Sequence, residues 1–272
     1  MNALVQLRQR PSNGASFRVL AVGNPKVDAR RGAADQRGTA ERDLENLSLL
    51  APLPFAEQEL HAIGRAFPDR TLIMSGTGAR ESALRETGMA QYTVLHFATH
   101  GLVSDAQSRR SGLLLAPGKG EDGLLQMAEI YSLELNANLV VISARQTAPG
   151  REMTGERMIG LSRAFFYAGA RSVVAPLWNL DPRFAAEFVE RFYRELSQGR
   201  SAEEALRNTK LAYVTHPEYS HPFYWSSLVM LGDGTTAVLE QPVRWPIGHA
   251  AAAVASTLTA LAVAVVNLRQ RG

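Results

Sequence analysis

The chain has 272 residues, 46% of them hydrophobic and 20% charged, a globular balance that excludes a disordered or collagen-like protein. Cysteine is absent, which excludes disulfides, thiolate metal sites, iron–sulfur clusters and a cysteine nucleophile. The formal charge is only +3 and the arginines are scattered, so no basic stripe with interleaved aromatics marks a nucleic-acid surface.

Residues 1–16 read as an N-terminal arm, with Arg8 and Arg10 but no apolar run long enough for a signal peptide. FRVLAVG (17–23) is the first strand, and the Arg-, Asp-, Gly- and Ala-rich stretch 24–48 reads as a long exposed loop. A helix follows over 55–67, then strands RTLIMS (70–75) and YTVLHFA (92–98). LLLAPGKGEDGLLQ (113–126) is two apolar runs around a Gly-rich turn, a β-hairpin. Strand LVVISA (139–144), a helix over 154–168 and strand RSVVAPLW (171–178) come next. In 183–198, Phe184, Phe188, Phe192 and Leu196 recur every four residues, with Asp181 and Pro182 suited to the cap and first turn. Ser201 and Glu204 form a capping-box pattern that opens a helix over 202–214, and SLVMLG (227–232) is the last strand. Several strands are apolar throughout and alternate with helices, which predicts an α/β domain over 17–234 with a mainly parallel sheet covered on both faces.

Residues 235–244 read as a linker to the tail. The 24 residues between Arg244 and Arg269 carry no formal charge and would extend about 36 Å as a helix, enough to cross a hydrocarbon core. Trp245 and Arg269 suit the two interfaces. The expectation is a single transmembrane helix over 245–268, a short tail over 269–272, and a main domain left in the cytoplasm. A soluble Ala-rich helix packed on the domain is the competing reading, but such a helix normally shows a charged outer face.

The chemistry gathers at strand ends. YTVLHFATHG puts His100 and Gly101 just past one strand, LVVISARQTAPG puts Arg145 past another, and GARSVVAPLWNLDP carries Trp178 and Asp181 past a third. In this order and at these spacings the three runs, with the closing HPFYWSSLVMLGD, resemble the CHAT domain, the caspase-like peptidase module related to separases and caspases. The resemblance covers roughly residues 17–233. It implies a caspase-like fold, His100 of the His-Gly pair at the position of the catalytic base, and residue 145 at the position of the cysteine nucleophile. That position holds arginine here. A guanidinium offers only donors and stays protonated, so it cannot attack a carbonyl. Its charge would also disfavour the imidazolium that a general base must become.

No other residue offers a recognisable replacement. Ser143 and Thr147 flank Arg145 without a hydroxyl-nucleophile motif, and Ser162 lies inside an amphipathic helix rather than at a strand–helix turn. His96 and His100 read as lying on a strand and the loop after it, without the helical setting and the glutamate of a metal motif, and His96 reads as a satisfied strand residue. His216 and His221 each precede proline in an aromatic-rich turn that reads as a loop. SGTG and APGKG lack phosphate-loop spacing. By the resemblance, Asp181, with Gly101, could line a pocket for a basic substrate side chain, although a helix cap explains Asp181 without a ligand. The arginine itself is expected to reach toward Asp181 or another acidic cleft residue. The function expected is therefore a membrane-anchored pseudo-peptidase that binds or regulates a protein or peptide partner, with no cofactor, no metal and no nucleic acid. Three alternatives stay open: a nucleophile-substituted form of a CHAT cysteine peptidase, a hydrolase using other residues, and a scaffold that assembles through its tail.

Overall fold

The runs at 17–23, 70–75, 92–98, 139–144, 171–178 and 227–232 form one six-stranded sheet in a computed structural model that describes residues 16–27, 53–102, 111–118, 120–146, 155–235 and 239. Its strands are β1 (Val19–Pro25), β2 (Thr71–Gly76), β3 (Val94–Ala98), β7 (Leu139–Ile142), β9 (Ser172–Pro176) and β10 (Leu228–Gly232). The order is β10-β9-β7-β3-β1-β2, parallel throughout except for β10, which runs antiparallel to β9.

Period-two alternation divides the central strands between two cores. Val19, Ala21, Val94, Val141 and Val174 pack with helices α1 (Pro54–Ala66), α5 (Pro182–Ser197) and α6 (Ala202–Val214). Leu20, Val22, Leu95, Phe97, Val140, Ile142 and Val173 face the other way, toward α2 (Glu81–Thr87) and α4 (Gly155–Ala168). Burial on both faces is why these strands carry no polar alternation. The four-residue repeat of 183–198 is realised in α5, where Phe184, Phe188, Phe192, Tyr193 and Leu196 are all buried. Ser201 and Glu204 make the reciprocal capping box of α6.

A second, four-stranded sheet has the order β6-β5-β4-β8 and corrects the reading of the strand ends as loops. Its members are β4 (His100–Leu102), β5 (Gly112–Leu114), β6 (Leu124–Gln126) and β8 (Arg145–Gln146). β3 stops at Ala98 and β7 at Ile142; after one and two intervening residues the two segments pair again in parallel, His100 opposite Arg145. The predicted hairpin is β5–β6, and it joins this sheet because β5 runs antiparallel to β4. Gly112 permits the close approach of β5 to β6, since a Cβ there would lie 2.3 Å from the Leu125 carbonyl oxygen. Short elements escaped the sequence patterns: α2, a 3-10 turn at Met89–Gln91, α3 (Met127–Ile130) and α7 (Pro222–Trp225). α7 corrects the loop expected around His221, whose Nδ1 accepts from the Phe223 backbone N–H to cap it.

Apart from Ser16, residues 24–27, Thr235 and Leu239, the expected arm 1–16, loop 24–48, linker 235–244, membrane span 245–268 and tail 269–272 lie outside the described residues. Among the described residues no helix is long and apolar enough to cross a membrane.

Candidate functional site

The C-terminal ends of β3, β7 and β9 share one rim, and a cavity of about 90 Å³ opens beneath it between the starts of α1 and α5. Its walls are largely apolar, among them Phe55, Val141, Leu180, Phe188 and Phe192, while Glu59, Thr99 and Ser143 supply polar atoms. Glu59 is 4% exposed and sits on the apolar stripe of α1 with Ala56, Leu60 and Ile63.

A chain of hydrogen bonds stabilises that buried carboxylate. Glu59 Oε2 lies 3.1 Å from His96 Nε2, and Glu59 Oε1 accepts from the Ser143 hydroxyl at 3.0 Å. The other imidazole nitrogen, Nδ1, lies 3.2 Å from the Tyr193 hydroxyl. Burial, and then the charge of Glu59, push Tyr193 well above the usual phenol range, so it keeps its proton. With the phenol proton directed to Nδ1, the imidazole carries its proton on Nε2, toward Glu59; both ring nitrogens of His96 have a partner. His96 is fully buried, its ring meeting that of Tyr193 edge-on at 5.5 Å. The network joins α1, β3, β7 and α5. It gives Ser143 a carboxylate partner rather than an imidazole one, and it leaves His96 no valence for a metal.

His100 is buried in β4, while its register partner Arg145 occupies β8. Gly101 pairs with Gln146 on one side and Leu113 on the other. His100 and residue 145 are thus backbone neighbours. The side chains of Arg145 and Gln146, and Thr147 altogether, lie outside the described residues, and so does the expected ion pair of Arg145.

Asp181 is exposed at the start of α5, where its Oδ1 accepts from the backbone N–H groups of Arg183 at 2.8 Å and Phe184 at 3.2 Å. The structure thus shows a helix cap at this residue. Trp178, past β9, donates from Nε1 to the Phe223 carbonyl at 2.9 Å and stacks on the Phe223 ring. Ser162 donates to the Met158 carbonyl within α4, and His216 Nδ1 accepts from the N–H groups of Glu218 and Tyr219. Among the described residues no three His, Asp or Glu side chains converge as metal ligands.

Glu59 and Tyr193 were not singled out by sequence. The signal for Glu59 was present: a lone carboxylate at helical spacing on an apolar stripe. Tyr193 carried none, because in the sequence it is one more aromatic of α5.

A sequence model of the CHAT domain matches residues 2–233. Tetratricopeptide repeat protein 28 of Mus musculus is 26% identical over 266 residues, and its Homo sapiens counterpart 25% over 261. Each alignment covers 83% of this chain, which spans only about 10% of the length of those relatives. Among solved structures, the Arg-specific cysteine proteinase gingipain R (RgpB) superposes with a TM-score of 0.54 at 8% identity, over 84% of this chain and 49% of that one. The complex of Porphyromonas gingivalis RgpB pro- and mature domains gives 0.54 at 9% identity, covering 86% and 52%. At such identities the likeness speaks for the fold alone, the α/β caspase-like sheet flanked by helices.

Proposed function

The chain belongs to the CHAT domain family, and we propose that within it this protein is a pseudo-peptidase, a module that binds or regulates a protein partner after losing the nucleophile. The observation that carries this reading is the β4–β8 register in a chain without cysteine: His100 lies opposite residue 145, and residue 145 is arginine. No thiolate can form within these 272 residues. Two hydroxyls at the rim are engaged elsewhere: that of Ser143 donates to Glu59, and that of Thr99 to the Leu114 carbonyl. The cavity beneath the rim, apolar with a fixed carboxylate on its lining, suits an aliphatic side chain of a bound peptide. The relatives' name, tetratricopeptide repeat protein, supports a protein partner. Residues 245–268 are proposed to anchor the domain to a membrane, on the strength of their uninterrupted lack of charge.

The test is direct. The full chain is expected to leave Arg-, Lys- and Asp-directed peptide reporters uncleaved and to take no label from thiol-directed peptide warheads. Arg145→Cys is expected to regain warhead labelling, and His100→Ala in that background to lose it. Steady turnover by the unmodified chain that disappears on His100→Ala would overturn the reading.

A further inference from the structure

The β5–β6 hairpin is fastened to the rest of the domain at a place crowded with carboxylates. Ala116 donates its N–H to the Ala79 carbonyl, and Glu121 at the hairpin tip accepts from the Ser82 N–H at 2.8 Å and from the Arg85 guanidinium. Beneath this contact lies Glu81, the first residue of α2, with 2% of its surface exposed. Its Oε2 meets Arg85 at 3.3 Å, and its Oε1 is buried without a hydrogen-bond partner in the structure.

Among the described residues, the charged groups facing Glu81 are Arg85 from α2 itself, Glu121 and Asp122 from the hairpin tip, and Glu129 from α3. Among the described residues, four carboxylates therefore share the Arg85 guanidinium, which already bonds Glu121. Glu121, Asp122 and Glu129 each have donors: Ser82 N and Arg85; Leu124 N and Gln126 Nε2; Gln126 N. Only Glu81 combines near-total burial with an oxygen lacking any donor. A neutral carboxylic acid fits that setting, and a carboxylate does not.

We propose that the junction between α2 and the β5–β6 hairpin is a proton-operated latch, closed while Glu81 is protonated and loosened when it ionises. Burial, then repulsion from Glu129, Asp122 and Glu121, raise Glu81 to about 7 from the ordinary 4.5. The closed form thus holds its proton more tightly than the open form, and opening is favoured as pH rises. The effect reaches the rim through backbone pairing, because β5 flanks β4, the strand of His100, and β4 flanks β8. Thr99, between β3 and β4, donates its hydroxyl to the Leu114 carbonyl of β5. Loosening the hairpin therefore frees one side of the strand that carries the family's base position. The inference stands independently of what the cleft binds.

Hydrogen–deuterium exchange of the full chain at pH 6 and pH 8, corrected for intrinsic rates, reads the latch directly. Linkage between 4.5 and about 7 gives an opening constant of the hairpin about tenfold larger at pH 8 than at pH 6. Glu81→Gln, which carries no charge at either pH, is expected to abolish that ratio and keep the hairpin protected at pH 8. Equal protection of the native hairpin at both pH values would overturn the proposal, and so would a ratio that survives Glu81→Gln. If the variant does not fold, the 13C carboxyl titration of Glu81 in the unmodified chain decides. A midpoint near 7 supports the latch, and one near 4.5 overturns it.

Discussion

Replacing Tyr193 by phenylalanine removes one oxygen and leaves the aromatic packing in place. The ring is fully buried, edge-on to His96 at 5.5 Å, to Phe192 at 5.7 Å and to Phe67 at 6.3 Å, so none of that surface changes. What changes is His96 Nδ1, which loses the partner 3.2 Å away and remains sealed from water. An orphaned buried acceptor costs about 1–2 kcal/mol, a sizeable part of the ~5–15 kcal/mol that stabilises a domain. For a domain of this size that is a fall in Tm of about 3–6 °C, read by circular dichroism at neutral pH. Glu59→Gln perturbs the same chain from its other end, so the two changes are expected to be non-additive in a double-mutant cycle. Alkaline titration gives a second reading. Because Tyr193 is held well above the usual phenol range when folded, its stabilising contribution is present below pH 10 and declines above it, as the unfolded phenol ionises first. Tyr193 should therefore ionise only together with alkaline unfolding, and because burial also pushes Tyr213 up to about 12, Tyr193→Phe should lower the number of late-ionising phenols by one. An unchanged Tm combined with strict additivity would refute the argument, since Nδ1 would then be hydrated from the neighbouring cavity and the chain of bonds would join nothing.

Asp181→Ala should lower stability by about 1 kcal/mol through loss of the α5 cap, with Asp181→Asn retaining most of it; equal melts for all three proteins would remove the capping role. Carbonate extraction of membranes should leave the full chain in the pellet and release a chain ending at Glu240; equal release of both would show that residues 245–268 do not anchor the protein.

The sheet was legible because its strands are buried on both faces, which forces near-continuous apolar sequence at 19–22, 94–97, 139–142 and 172–175. α5 and α6 were legible for a different reason: their caps use local hydrogen bonds, from Asp181 and from the Ser201–Glu204 pair, that span only two or three residues. Elements of seven residues or fewer, such as α2, α3 and α7, are too short to show a helical period, and the strands β4 and β8 consist of three and two residues whose pairing is entirely non-local. Loop was the natural reading of them, and the backbone pairing at the rim overrode it.

Sequence by itself determined that the chain has no thiol, that arginine occupies position 145, and that the motifs around His100, Arg145 and Asp181 follow the order of the CHAT family. Those are facts of composition and order, and folding cannot alter them. Only the tertiary structure decided that His100 lies opposite Arg145, that Glu59 meets His96 and Ser143 across separations of 37 and 84 residues, and that His96 meets Tyr193 across 97. Likewise it set Glu81 of α2 among the carboxylates of the hairpin tip and α3. Periodicity tells which face of an element is apolar, but it does not say which neighbour meets that face. A lone Glu on an apolar stripe therefore announces a buried charge without naming the groups that stabilise it or leave it unsatisfied.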